Sequence, residues 1–252
     1  LETLFAFAAD GDMVAIARAP EDRFAMTGPH AAALLDAGGG GADNLVTRAA
    51  TAFVAAFAVA GGHAINLDKQ LPVASGIGGG SADAAATLRA LARLHGVDLR
   101  DPRLDAIARL LGADVPACLA GETAFGTGRG DDLHRLDGAA GMPLLLVNPR
   151  VAVSTAAVFA AWDGVDRGPI PDGGLLDRAI AGRNDLEGPA IRIAPAIAAV
   201  LAMLRQAPGV RLARMSGSGA TCFALFDDPV DLAAAATLAR RAGHWCLEST
   251  LA

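Results

Sequence analysis

The chain has 252 residues, 53% of them hydrophobic and only 19% charged, which is ample for one large domain or two small ones. Its formal net charge of −6 argues against non-specific binding to nucleic acid or to an anionic membrane surface. No apolar run reaches the length of a membrane span, and Cys118, Cys222 and Cys246 stand far apart and outside any C-x-x-C, which suits a reducing cytoplasm and neither a disulfide framework nor a zinc site.

Residues 1–9 and 13–17 are β-compatible runs joined at Asp10-Gly11-Asp12, which predicts a hairpin. Residues 19–43 are weakly patterned and read as loop, ending in the four glycines 38–41. Asn44 then opens a helix in which Leu45, Ala49, Phe53, Ala56 and Phe57 share a face, closed by Gly61-Gly62. Next, Ile65, Leu67, Lys69 and Leu71 alternate with Asn66, Asp68 and Gln70, the period of a strand. After Pro72 and glycines 76, 78, 79 and 80, Ser81 is the predicted N-cap of a helix with an apolar stripe through Ala84, Ala85, Leu88, Leu91, Ala92 and Leu94.

Those glycines leave the backbone bare and able to take positive φ, just where the amides of a helix N-terminus converge. The physical reading is a phosphate cradle. It is not a P-loop, because no Gly-Lys-Ser/Thr follows at the required spacing, and Ser81 stands where a dinucleotide fingerprint needs its third glycine. Taken alone, a glycine-rich turn before a helix is more often a plain connector than a nucleotide site.

Asp101-Pro102 starts a further helix carrying Leu104, Ile107, Ala108 and Leu111, which stops at Gly112. Thr123 to Phe125 reads as a strand leading into an exposed glycine-rich turn at 126–130. Residues 144–147 form a short buried strand, Ser154-Thr155 can cap the next helix, and residues 164–174 are a surface loop. A helix at 195–205, a strand–turn–strand unit at 211–226 around Ser216-Gly217-Ser218-Gly219-Ala220, a helix at 231–242 and a closing strand near Trp245 complete a β-α-α-β-β-α-β order, helices on an antiparallel sheet.

The segment Pro72 to Ala85 resembles the central motif of the GHMP kinases, and Gly76-Ile77-Gly78-Gly79-Gly80-Ser81-Ala82-Asp83 is most similar to the branch acting on a cytidine-diphosphate-linked methylerythritol. The resemblance covers nearly the whole chain. It implies an α+β GHMP kinase fold of two α/β domains, a ribosomal-protein-S5-like ATP-binding domain at 1–139 and a ferredoxin-like domain at 140–252, with the active site in the cleft between them. It implies ATP and Mg²⁺ as cofactors, a small-molecule alcohol as acceptor, and no nucleic-acid or membrane partner. The expected product is an isoprenoid precursor phosphorylated on its 2-hydroxyl, made in the cytoplasm by a monomer or weak homodimer.

Residue by residue, the resemblance implies that Asp114 in Gly112-Ala113-Asp114-Val115-Pro116 accepts the acceptor hydroxyl's proton; local sequence alone favours an ordinary turn or N-cap aspartate. Pro72, Gly76, Gly78, Gly79, Gly80 and Ser81 would hold the nucleotide phosphates, with Ser81 also able to reach the metal. Lys69 and Asn44 would lie by the nucleotide, although one could be a strand-end lysine and the other merely a helix cap. Ser216, Gly217, Ser218 and Gly219 resemble the third GHMP motif, and Thr155 aligns with a substrate-side loop. No residue is singled out as a metal ligand. The family's first motif, a lysine on an opening strand followed by Gly-Tyr-His, precedes the point matched by Leu1-Glu2-Thr3-Leu4-Phe5, and the chain holds no tyrosine. The expectation is a chain lacking the N-terminal piece of its natural protein. The alternatives are another GHMP small-molecule kinase or a non-catalytic ATP-binding member.

Overall fold

In the computed structural model, which describes residues 1–41 and 43–252, the chain runs β1 (Thr3–Phe5), β2 (Met13–Ala19), β3 (Arg23–Thr27), α1 (Ala31–Asp36), α2 (Leu45–Phe57), β4 (Gly62–Asp68), α3 (Gly79–His95), α4 (Pro102–Leu111), α5 (Val115–Ala120), β5 (Ala124–Thr127) and β6 (Asp132–Arg135). It continues with β7 (Pro143–Asn148), α6 (Thr155–Ala160), α7 (Leu175–Ala181), α8 (Glu187–Ile193), α9 (Ala196–Arg205), β8 (Val210–Met215), β9 (Cys222–Phe226), α10 (Pro229–Arg241) and β10 (Trp245–Thr250). Among the described residues, no helix is long and apolar enough to cross a membrane.

The hairpin expected at Asp10–Asp12 does not form. β1 pairs antiparallel with β5, whereas β2 pairs antiparallel with β4, so the two runs join different sheets. The stretch read as loop contains β3 and α1. β3 lies parallel to β4 and turns Phe24 and Met26 inward, a two-residue alternation too short to stand out in the sequence. β4 also stops at Asp68, so Lys69 and Leu71 lie in the loop beyond it.

One face of the β2-β4-β3 sheet packs Ile65 and Leu67 against Val46 of α2. Helices α2, α3, α4 and α5 then bury Phe53, Leu88, Leu91, Leu104 and Val115 in a common core, each large side chain contributing about 1.5–3 kcal/mol. Alanines 84, 85 and 92 on α3 let the neighbouring helices approach closely. Asn44 caps α2 by accepting from Val46 N, and Asp101 caps α4 with Pro102 at its first position.

In the second half the sheet order β10-β7-β9-β8 is antiparallel throughout, the 4-1-3-2 arrangement of a ferredoxin-like unit. Four short helices, not two, separate its first two strands. Leu145, Val147, Met215 and Phe226 face α9 and α10, while Leu144, Leu146, Leu212 and Leu225 line the opposite face. Ile77, from the middle of the glycine loop, packs into that second face. The loop is thereby anchored to both halves of the chain.

Candidate active site

α3 begins one turn earlier than Ser81 predicts. Gly78 occupies the N-cap in the left-handed region (φ 70°), a conformation cheap only for glycine, and offers no side-chain hydrogen bond to the first turn. Ser81 is therefore the third helical residue, not the cap. The first turn carries no acidic residue, so the positive end of a seventeen-residue helix stays available to an anion. A Cβ on Gly78 would meet nothing within 4 Å, and Gly80 is exposed. Pro72 anchors the start of the loop by accepting from the Ser75 hydroxyl at 2.7 Å.

The third-motif loop presses on this loop backbone to backbone. A Cβ on Gly76 (φ 76°) would lie 2.4 Å from Gly219 O, and one on Gly217 would lie 2.8 Å from Gly76 O. Thr221 N donates to Ser75 O at 3.1 Å, and Ser216 Oγ donates to Gly76 O. Thr155 Oγ1 and Ser218 Oγ share a hydrogen bond of 2.9 Å, so these two hydroxyls sit together. Asn184, given no role from sequence, locks the arrangement: Nδ2 donates to Met215 O at 2.9 Å and to Gly217 O at 2.8 Å.

Asp114 holds the N-cap position of α5 without making a side-chain cap, leaving its carboxylate exposed and free to meet a ligand. The protein atoms crowded around it nevertheless push its carboxyl above the ordinary range. α5 packs on α3, and Arg89 of α3 donates to Cys118 O and Leu119 O at the other end of α5. Cys118 itself is buried and its thiol is pushed up to about 12, which removes it as a nucleophile.

Asn44 is buried and both ends of its amide are engaged, with Oδ1 capping α2 and Nδ2 donating to Gly39 O at 2.7 Å. Lys69 is 3% exposed and lies beneath the first turn of α3, held by the carboxylates of Asp12 and Asp83. The structure thus brings Pro72, Gly76, Gly78, Gly79, Gly80 and Ser81 together with Ser216, Gly217, Ser218, Gly219 and Thr155, and gives Lys69 and Asn44 protein partners. No group of three or more His, Cys, Asp or Glu able to hold a metal ion occurs among the described residues.

Residues 44–122 match the family model of the GHMP kinases N terminal domain, and residues 169–243 match that of the GHMP kinases C terminal. The chain belongs to the GHMP kinases. This GHMP kinase is 54% identical to the 4-diphosphocytidyl-2-C-methyl-D-erythritol kinase of Rhizorhabdus wittichii over 255 aligned residues, spanning 100% of the chain and 86% of the relative. It is 47% identical to the protein of that name from Sphingopyxis alaskensis, over 100% of the chain and 89% of the relative. A crystal structure of 4-(cytidine 5'-diphospho)-2C-methyl-D-erythritol kinase superposes with a TM-score of 0.82 at 34% identity, covering 99% of this kinase and 89% of that chain. A homoserine kinase from Cytophaga hutchinsonii shares the fold, with a TM-score of 0.74 at 19% identity over 99% of this chain and 94% of that one.

Proposed function

We propose that this GHMP kinase transfers the γ-phosphate of ATP to the 2-hydroxyl of 4-diphosphocytidyl-2-C-methyl-D-erythritol, a step of isoprenoid precursor synthesis. The observation that carries the reading is the uncapped N-terminus of α3, packed in the same helix layer as the exposed carboxylate of Asp114, which makes no cap hydrogen bond to α5. The kinship with kinases named for that substrate supports the choice of acceptor.

In this reading the amides of Gly79, Gly80 and Ser81 hold phosphate oxygens, and the helix dipole opposes the charge that builds during transfer. Asp114 orients the acceptor hydroxyl and takes its proton, a task suited to a carboxyl already raised toward neutral pH. Thr155, Ser218 and the glycines of the third loop form the acceptor's wall. Donors for Mg²⁺ fit a cation brought in on the triphosphate and water, with the Ser81 hydroxyl as this chain's contribution, rather than a protein cage. When bound, the ion neutralises charge on the phosphates. Residues 1–139 would supply the cradle and Asp114, and residues 140–252 the acceptor wall.

The test is ATP consumption with Mg²⁺ and the diphosphocytidyl substrate, beside homoserine and mevalonate as competing alcohols. Turnover confined to the first supports the assignment. Turnover with another alcohol moves the acceptor, and ATP binding without turnover on any alcohol removes the catalytic reading.

A further inference from the structure

Lys69 reaches the protein interior from the end of β4, and its surroundings are unusual. Its side chain is 4% exposed, and those of Asp12 and Asp83 are 2% and 6% exposed. Nζ donates to Asp83 Oδ2 at 2.9 Å and also to Asp12 Oδ2. The second oxygen of Asp12 accepts from Gln70 N at 2.6 Å and from Leu71 N at 2.8 Å. Asp12 therefore holds both the ammonium and the backbone that enters the glycine loop. A Cβ on Gly79 would lie 3.4 Å from Nζ and 3.7 Å from Asp12 Oδ2, so the cluster sits directly under the first turn of α3. Asp83, one turn further along that helix, closes the link. The backbone of Lys69 is pinned as well, donating to Thr27 O at 2.8 Å and accepting from His30 N at 3.1 Å.

We propose that Asp12, Lys69 and Asp83 are positioning residues for the phosphate cradle, fixing the loop entry against the first turn of α3 so that its amides are aligned before the nucleotide arrives. The inference rests on the kinase reading above. Its logic lies in the charge balance. With all three groups ionised the cluster carries one surplus negative charge beneath a site for a triphosphate, which electrostatics alone would disfavour. Burial of three ionic side chains also costs desolvation, which is offset only by good geometry and satisfied hydrogen bonds. What the cluster supplies in return is alignment, since it ties β2, the loop entry and α3 at one point.

The two effects predict opposite signs. Removing the Asp83 carboxylate takes a negative charge from below the phosphates, so a purely electrostatic or direct-contact role for Lys69 predicts tighter ATP binding. Positioning predicts weaker binding. Equilibrium titration with ATP and steady-state kinetics on Asp83→Ala should show Kd and KM for ATP raised about tenfold, the loss of one charged hydrogen bond, with kcat within about twofold and KM for the alcohol unchanged. Asp83→Asn, which keeps an oxygen for the Lys69 ammonium, should restore ATP affinity to within about threefold of the parent. Unchanged or tighter ATP binding by Asp83→Ala overturns the proposal. So does failure of Asp83→Asn to rescue, or a parallel rise in both KM values. Should Asp83→Ala not fold, Asp12→Asn serves, expected to weaken ATP binding about threefold and overturning the idea if it does not. A parent chain that binds no ATP would refute the kinase reading itself, a result separable from all of these.

Discussion

The Ser216 hydroxyl donates to the Gly76 carbonyl at 2.9 Å, joining two residues 140 positions apart. Around this bond the two glycine-rich loops meet through bare backbone, with Gly219 against Gly76 and Gly217 against the Gly76 carbonyl. The two loops are thus registered to each other by main-chain contact, which leaves no tolerance for a side chain at Gly76, Gly217 or Gly219.

Gly76→Ala tests that seam. The new Cβ would fall 2.4 Å from Gly219 O at a φ of 76°, so the loops must part. Unfolding stability should drop by about 2 kcal/mol and ATP affinity should fall with it, as read by denaturant titration and nucleotide binding. A parental midpoint would show that the loops do not touch.

Asn184→Ala removes two donors to the third loop and an acceptor for Leu186 N. A stability loss of about 1–3 kcal/mol is expected, together with a raised KM for the alcohol and little change in KM for ATP. Equal rises in both constants would place Asn184 outside the acceptor wall.

Asp114→Asn should lower kcat by about 10²–10⁴-fold while ATP still binds. Because the protein atoms around it desolvate the carboxylate, the acid limb of the parental kcat profile should lie above the ordinary carboxylate range, with activity falling as pH drops through that raised value. The linkage sign is the reverse of a paired carboxylate. The ionised form is disfavoured by folding, so this group's cost to stability is relieved as pH falls through the folded value, and the asparagine variant should unfold no earlier than the parent at neutral pH. A kcat profile that keeps its acid limb in Asp114→Asn would assign that limb to another group.

Phe53→Ala probes the helical layer against the far end of α3, beside His95. Phe53 is fully buried and stacks on Phe57 with ring centroids 4.5 Å apart. A loss of about 3–5 kcal/mol in chemical denaturation is expected, and a loss under 1 kcal/mol would mean the core collapses to fill the space.

Where a signal was local, the sequence was readable. Asn44 and Asp101 announce helices by capping, the alanine and leucine stripe places α3 in the core, and the short apolar runs of the second half become a ferredoxin-like sheet. Misreadings arose where partners are distant or cues compete. Ser81 is a good capping residue, yet a left-handed Gly78 opens the helix first. Asp10-Gly11-Asp12 has turn chemistry, but β2 finds its partner in β4, some fifty residues on, and Asp12 turns inward to Lys69. Nothing near Lys69 in sequence foretells that it joins Asp12 and Asp83, and Asn184 acts on a loop more than thirty residues away. The glycine loops and Asp114 are legible because glycine-rich turns and a turn aspartate are local features of the sequence. The side chains that hold them were hidden because holding is a long-range matter.

Arg89 gives the architecture a further meaning. α3 presents the amides of an uncapped first turn at its start and, ten residues along, grips the far end of the short helix that begins at Asp114. The start of α3 and Asp114 are therefore tied together within the first half of the chain, while Thr155 and Ser218 belong to the other half. Under the proposed roles, changes confined to Thr155 and Ser218, away from the Gly76 backbone contacts, should alter acceptor choice with little effect on phosphoryl transfer. A mutational library confined to the Thr155 and Ser218 wall is the natural place to retrain this kinase toward new alcohols.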